Sequence, residues 1–273
     1  MYVDVQTPTT QFADIVWRDA PLRLEYQWVG VKQSTHPVVV FLHEGLGSLG
    51  MWKDFPEKFC QQAGLSGFVF SRYGYGQSTP RALAENWPTT FMHAQAFEVL
   101  PTLFSTLGID RPWLFGHSDG GSIALLYASR FQDAVSGIVV AAPHIFVEDV
   151  TIASIAKVRQ TYISTDLRDK LGRYHADPES AFWGWNNVWL DPAFRVWNIE
   201  AELADIVCPI LAMQGENDEY GTLDQIHGIK QKAAQTRLLI VPRCGHSPHR
   251  DQPAVVIREA AQFIIGSPGA REL

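Results

Sequence analysis

Ser118, Asp218 and His246 are the residues whose types and spacing could together perform nucleophilic chemistry. A serine hydroxyl is a poor nucleophile until a base takes its proton, and the base needs a partner to hold it. Ser118 lies in Gly116-His117-Ser118-Asp119-Gly120-Gly121, which contains the pattern G-x-S-x-G. In a sharp strand-to-helix turn the serine adopts a strained backbone conformation, and side chains two residues to either side would collide with it. The glycines therefore predict a nucleophile elbow that pushes the Ser118 hydroxyl out of a sheet. The first amides of the following helix would face whatever that hydroxyl attacks. In such an elbow the acid follows the serine in the chain and the base follows the acid. Asp218 comes three residues after Gly215, which ends a late apolar run, and His246 directly follows Gly245 after the last one. His249 is the second candidate base, read as structural. Glu216 and Glu219 are read as solvated or loop-stabilising.

A developing oxyanion needs two donors. The Asp119 amide, next to the nucleophile, is one. The other is expected from His43-Glu44-Gly45-Leu46-Gly47, with the Gly45 amide preferred over that of Leu46. Glu44 is a candidate substrate-binding residue beside it. The same loop holds Gly45-x-Gly47-x-x-Gly50, which imitates a dinucleotide-binding fingerprint. That fingerprint asks for an acid at the end of the next strand, where this chain has Ser71-Arg72. His43-Glu44 opens like a zinc-protease motif, but Gly47 stands where the second histidine is required. No metal and no cofactor are expected.

Apolar runs at Val38–Leu42, Gly67–Ser71, Pro112–Phe115, Val135–Ala141, Pro209–Gln214 and Thr236–Val241 read as strands. Helical periodicity over Met51–Ala63, Phe91–Leu107, Ser122–Phe131, Thr222–Ala234 and Pro253–Ile265 separates them. An edge hairpin over 13–29, broken at Asp19-Ala20-Pro21, precedes them. The fold class is therefore α/β, a mostly parallel central sheet with helices on both faces. Residues 143–207 change pattern to helices dense in aromatics and read as a cap over the strands' carboxyl ends, where ligands bind. Residues 1–142 and 208–273 then form the core. Within the cap, Trp185 and Trp189 are four apart and share a helix face. They are candidate substrate-binding residues lining an acyl pocket, with Trp183 pointing elsewhere.

Composition bounds the partners. The 273 residues carry a net charge of −7, which argues against nucleic acid, whose phosphates need a basic surface. No stretch reaches the ~20 apolar residues of a membrane helix. Met1 to Gln11 has neither the basic start nor the apolar run of a secretory signal. Cys60, Cys208 and Cys244 are far apart and odd in number, so they read as buried thiols of a reducing compartment. The expectation is a cytoplasmic protein acting on a small-molecule substrate, with no membrane partner. A homodimer is left open.

With these residues in place the chain resembles the α/β-hydrolase superfamily in its capped, single-domain form. The resemblance rests on the glycine loop after the third strand, Gly74-x-Gly76-x-Ser78, the Ser118 elbow, Gly215-x-x-Asp218 and Gly245-His246. It implies a serine hydrolase acting on a small ester, thioester or lactone. Relatives that hydrolyse carbon–carbon bonds of ring-cleavage products share the triad and cap. A non-catalytic binding protein on the same scaffold is the alternative of another class. The Ser118-Asp119-Gly120-Gly121 string is similar to that of valacyclovirase-like hydrolases, which implies that Asp119 helps hold a substrate ammonium. Two positions depart from the common pattern: Glu44, where His-Gly is usual, and Ser71, where an aspartate is usual ahead of the Gly74-Gly76 turn.

Overall fold

The structure is a computed structural model that describes residues 7–32 and 37–267. Residues 1–6, part of the stretch read above as lacking a secretory signal, lie outside the described residues. Strands β1 (Gln11–Trp17) and β2 (Ala20–Gly30) form an antiparallel hairpin. Its turn is Arg18-Asp19, with φ of 52° and 60°, the left-handed pair whose twist matches the flanking strands. Ala20 and Pro21, read from sequence as part of the break, instead pair with Trp17 and Val16. Trp17 and Arg18 both donate to the Glu98 carboxylate, which ties the hairpin to the helix beneath it.

Strands β3 (Val39–Leu42), β4 (Ser66–Phe70), β5 (Trp113–His117), β6 (Gly137–Ala141), β7 (Ile210–Gly215) and β8 (Arg237–Val241) complete an eight-stranded sheet. The order is β1-β2-β4-β3-β5-β6-β7-β8. β2 pairs antiparallel with β4, and the pairs from β4 through β8 are parallel. Side chains alternate across a strand, and here the alternation feeds two separate cores. Val40, Leu42, Leu114, Ile138, Val140 and Ala212 face one side. Val39, Phe41, Trp113, Phe115, Val139 and Met213 face the other. A strand buried on both faces must be apolar throughout, which is why the runs were readable in sequence.

In chain order the helices are α1 (Phe55–Ala63), α2 (Phe91–Ala94), α3 (Leu100–Leu107), α4 (Asp119–Arg130), α5 (Asp149–Ser164), α6 (Leu167–Leu171), α7 (Pro178–Trp189), α8 (Asp224–Lys232), α9 (Pro248–Asp251) and α10 (Pro253–Gly266). α1 and α10 cover the Phe41 face, while α3, α4 and α8 cover the Leu42 face. The helix expected from Met51 begins instead as a 3-10 turn, Leu49–Trp52. Lys53 at φ 56° turns the chain before α1 starts. α2 and α3 are joined by a π-helical stretch, Gln95–Val99, just ahead of Pro101, which has no N–H to give the turn behind it.

Between β6 and β7 the chain is helical. α7 starts cleanly: the Asp177 side chain accepts from the Ser180 amide at 2.9 Å, and Pro178 follows as first residue, where its missing N–H costs nothing. Tyr162 of α5 stacks on Phe182 of α7 with ring centroids 3.6 Å apart. Just before α7, His175 accepts from the Gly76 amide at 2.9 Å and donates to the Leu46 carbonyl at 3.1 Å. One imidazole thus fastens this helical segment to the loops after β3 and β4. Cys60, Cys208 and Cys244 are free and buried. Burial pushes the Cys60 thiol well up and those of Cys208 and Cys244 to about 12.

Candidate active site

Ser118 sits where β5 gives way to α4, with φ 50° and ψ −119°. A non-glycine residue at positive φ is strained, and its neighbours show what holds it there. A Cβ on Gly116 would lie 2.3 Å from the Gly120 carbonyl oxygen, and one on Gly120 would lie 2.0 Å from that of Leu42. Both positions must be glycine for the turn to close against β3. The Ser118 amide donates to Ala141 at 2.9 Å, which fixes the elbow to β6.

Three loops meet at the hydroxyl. Ser118 Oγ is 2.9 Å from His246 Nε2, and His246 Nδ1 is 2.8 Å and 3.0 Å from the two Asp218 oxygens. A carboxylate accepts, so Nδ1 carries the hydrogen and Nε2 is left as an acceptor facing the hydroxyl. Asp218 also receives the Tyr220 amide at 2.8 Å and Gln214 Nε2 at 3.1 Å. Burial pushes its carboxyl up, but His246 and the Tyr220 amide outweigh burial and hold it below the usual carboxylate range. Glu216 is exposed. Glu219 accepts the His246 amide at 3.1 Å, so it supports the backbone of the candidate base loop. His249 does not approach Ser118; it is buried against Trp52 and His117, with ring centroids 4.8 Å away in both cases.

The hydroxyl opens into a cavity of about 260 Å³ lined by Gly45, Leu46, Asp119, Trp185, Trp189 and Tyr220, among others. Among the described residues neither the Gly45 nor the Leu46 amide donates to a backbone carbonyl. A Cβ on Gly45 would lie 2.1 Å from the Trp185 indole nitrogen, so this ring closes directly over the loop. Trp189 is differently employed: its indole N–H donates to Asp119 Oδ1 at 3.1 Å. Trp183 points away and donates to Glu179 at 2.7 Å.

The two carboxylates singled out beside the oxyanion loop both have internal partners. Arg72, almost wholly buried, lies 4.0 Å from Asp119 Oδ2. It also donates to the Glu44 carbonyl at 2.9 Å and stands over the Tyr75 ring. Burial nevertheless dominates at Asp119 and pushes its carboxyl up to about 6. Glu44 lies 3.5 Å from His117 Nδ1 and 3.4 Å from Arg250. Burial raises the Glu44 carboxyl, but His117, Arg250 and His249 together hold it well below its usual range.

Sequence reasoning did not single out His117, His144 or Arg250. His117 donates to the His246 carbonyl at 2.8 Å. The His144 ring lies 5.1 Å from Trp189 and 5.7 Å from His246, and burial pushes it down to about 3. The one available signal was position. His117 is a variable site of the G-x-S-x-G pattern, and a histidine there is adjacent to the nucleophile in any fold that uses it.

The sequence model of the Alpha/beta hydrolase family matches residues 39–259, and the chain belongs to that family. It is 28% identical over 264 residues to the 2-succinyl-6-hydroxy-2,4-cyclohexadiene-1-carboxylate synthase of Klebsiella pneumoniae (strain 342), covering 85% of this chain and 95% of the relative. Its fold is similar to that of the enol-lactonase from Burkholderia xenovorans LB400, with a TM-score of 0.72 and 17% identity over 93% of this chain and 99% of the other. It is also similar to a thermophilic esterase from Thermogutta terrifontis, with a TM-score of 0.71 and 17% identity over 93% and 98%. Among the described residues no helix is long and apolar enough to cross a membrane.

Proposed function

We propose that this protein is a serine hydrolase that cleaves a small carboxylic ester, thioester or lactone through an acyl-enzyme on Ser118. The observation that carries the reading is the hydrogen-bonded series from Asp218 through His246 to the Ser118 hydroxyl, at 2.8 and 2.9 Å. In this mechanism Ser118 attacks the carbonyl carbon as His246 Nε2 takes its proton. Asp218 keeps the imidazole in the required tautomer and stabilises the imidazolium. The Asp119 and Gly45 amides hold the oxyanion. His246 then gives its proton to the leaving group, and water attacks the acyl-enzyme by the same route in reverse. The helices of 143–207 act as a cap, with Trp185 as the wall of the acyl pocket.

The name of the Klebsiella relative describes a product with a succinyl and a carboxylate group. The cavity here presents Glu44, Asp119 and Glu219 against Arg250, a poor setting for two anions, and we therefore favour hydrolysis of an uncharged acyl group. The test is a panel of aryl esters, amino acid esters, acyl thioesters, lactones and dienoates, run on wild type and Ser118→Ala together with fluorophosphonate labelling. Turnover and label are both expected to vanish in the variant while the fold persists. Labelling or turnover retained by Ser118→Ala would falsify the assignment. Turnover of dienoates alone would move the reading to carbon–carbon hydrolysis.

A further inference from the structure

Beside the Ser118 cavity lies a second one, of about 510 Å³, walled by Met51, Trp52, Phe55 and Ile257. We propose that it receives a phosphate-bearing leaving group, so that the preferred substrate is the thioester of an anionic carrier thiol. This deepens the hydrolase reading and rests on it.

Charge separates the two cavities. The chain as a whole is acidic, at −7, yet this cavity gathers Lys53, Lys58 and Arg250 against one carboxylate, Asp54. The lining of the Ser118 cavity is the reverse, with Glu44, Asp119 and Glu219 against Arg250, while Arg72 stands behind Asp119 at 4.0 Å. An anion is repelled from the acyl side and attracted to the neighbouring one. A substrate that suits both is uncharged at its acyl end and anionic at its leaving end.

Arg250 lines both cavities and lies 3.4 Å from Glu44, on the loop whose next residue is Gly45. Trp52 meets His249, and His249 meets His117, the residue before Ser118. The second cavity is therefore two rings from the elbow. The two linings meet at Arg250, where a leaving group seated in the second cavity would join an acyl group at the hydroxyl.

Lys53 is held at φ 56° at the end of the 3-10 turn, and its ammonium stands 4.0 Å from the centre of the Tyr174 ring. Tyr174 belongs to the helical segment between β6 and β7, so this contact closes the rim across the cavity. Lys58 is 2.7 Å from Asp54 but remains exposed, where an ion pair is weak and a polyanion competes well.

The Ser118 oxygen bonds to the acyl carbon and the carbon–sulfur bond breaks. The thiolate takes the proton that His246 received from Ser118, and the carrier leaves as a free thiol. Water then releases the acyl group as a carboxylic acid.

The experiment titrates coenzyme A, and separately pantetheine, into the Ser118→Ala protein by calorimetry at two salt concentrations. It also measures kcat/KM of wild type for one acyl group carried on coenzyme A and on N-acetylcysteamine. We expect coenzyme A to bind at least tenfold more tightly than pantetheine, and added salt to narrow the gap. Lys53→Glu and, independently, Lys58→Gln should lower both that binding ratio and the ratio of the two kcat/KM values. Equal binding of coenzyme A and pantetheine, or a binding ratio that neither lysine variant moves, overturns the proposal. Simple esters hydrolysed with no coenzyme A bound would remove this site and leave the hydrolase reading. Coenzyme A bound in the expected way, with no ester or thioester hydrolysed, would do the opposite.

Discussion

His117 donates its Nε2 hydrogen to the backbone carbonyl of His246, 2.8 Å away and 129 residues further along the chain. Its other ring nitrogen faces the Glu44 carboxylate at 3.5 Å. One buried imidazole therefore joins the loop after β3, the end of β5 and the loop after β8, which are the loops that supply the proposed oxyanion donor, nucleophile and base. His117→Phe keeps a ring in the space and removes both polar contacts. A buried hydrogen bond contributes about 1 kcal/mol and leaving its partner unsatisfied costs about 1–3 kcal/mol. We expect kcat to fall about tenfold, equivalent to about 1.4 kcal/mol, with partial recovery in His117→Gln. Steady-state kinetics with a thermal melt in parallel checks this; a lowered melting temperature with unchanged kcat would make His117 purely structural.

Asp218→Asn is expected to lower kcat by up to ~10⁴, the loss that follows when an amide replaces a triad carboxylate and the imidazole is held in the wrong tautomer. Glu219→Gln keeps an oxygen to accept the His246 amide and should cost far less. Glu216→Gln should be silent, since its side chain is exposed. His249→Ala should be felt in stability before activity, because the ring is buried against Trp52 and His117. Kinetics on these variants under one set of conditions decides the assignment, and a crippled Glu216→Gln enzyme would require a different acid.

Asp119 couples the stability of the fold to pH. Burial sets its carboxyl at about 6 in the folded protein, whereas an unfolded chain titrates it near ~3.9. Between those values the folded state holds a proton that the unfolded state has released. The stability this represents is present at low pH and is lost as pH rises through about 6. Two units correspond to at most about 3 kcal/mol. Asp119→Asn is neutral throughout and can still accept from Trp189. Its urea stability, less that of wild type, should therefore increase between about pH 4 and pH 7. A difference that stays flat would show that the carboxyl is not shifted. Arg72 also supplies the charge that a substrate ammonium was expected to supply. An α-amino ester and its des-amino analogue should accordingly differ in kcat/KM by less than about tenfold. A larger preference, lost in Asp119→Asn, would reinstate the ammonium role implied by the elbow sequence.

Trp185 and Trp189 share a helix face but should behave differently. Trp185 stands over Gly45, so Trp185→Ala should change the ranking of acyl chain lengths. Trp189→Phe leaves a buried Asp119 oxygen without its donor and should cost about 1–3 kcal/mol of stability. Chain-length profiles and denaturant curves on the pair separate the two roles; identical profiles for wild type and Trp185→Ala would exclude that ring from the acyl pocket.

What was readable in the sequence was local or periodic. The G-x-S-x-G turn, the glycines before Asp218 and His246 and the apolar runs of β3 to β7 each carry their signal within a few residues. Contacts made across the sheet carry none. Arg72 follows β4 and Asp119 follows β5, and they meet only because β3 alone lies between those strands. The Glu44–Arg250 contact joins residues 206 apart, and nothing near either one announces it. The expected helix from Met51 failed for a related reason. Periodicity continued through Lys53, but the backbone there turns to positive φ, which a pattern of side chains does not record.

The three buried thiols make the protein its own reporter. A thiolate is the form that reacts with alkylating reagents, and burial has suppressed it at Cys60, Cys208 and Cys244. Alkylation in the native state must then wait for an opening, and its rate at each position measures how often that part of the chain comes apart. Cys60 packs under β4, where its sulfur would lie 2.6 Å from a Cβ on Gly67, so it reports separation of α1 from the sheet. Cys244 is two residues before His246 and reports the loop that carries the proposed base. A Cys244 that reacts much faster than Cys60 would mean that the loop of the proposed base detaches from an intact sheet. Equal rates would mean that it is released only when the whole molecule unfolds.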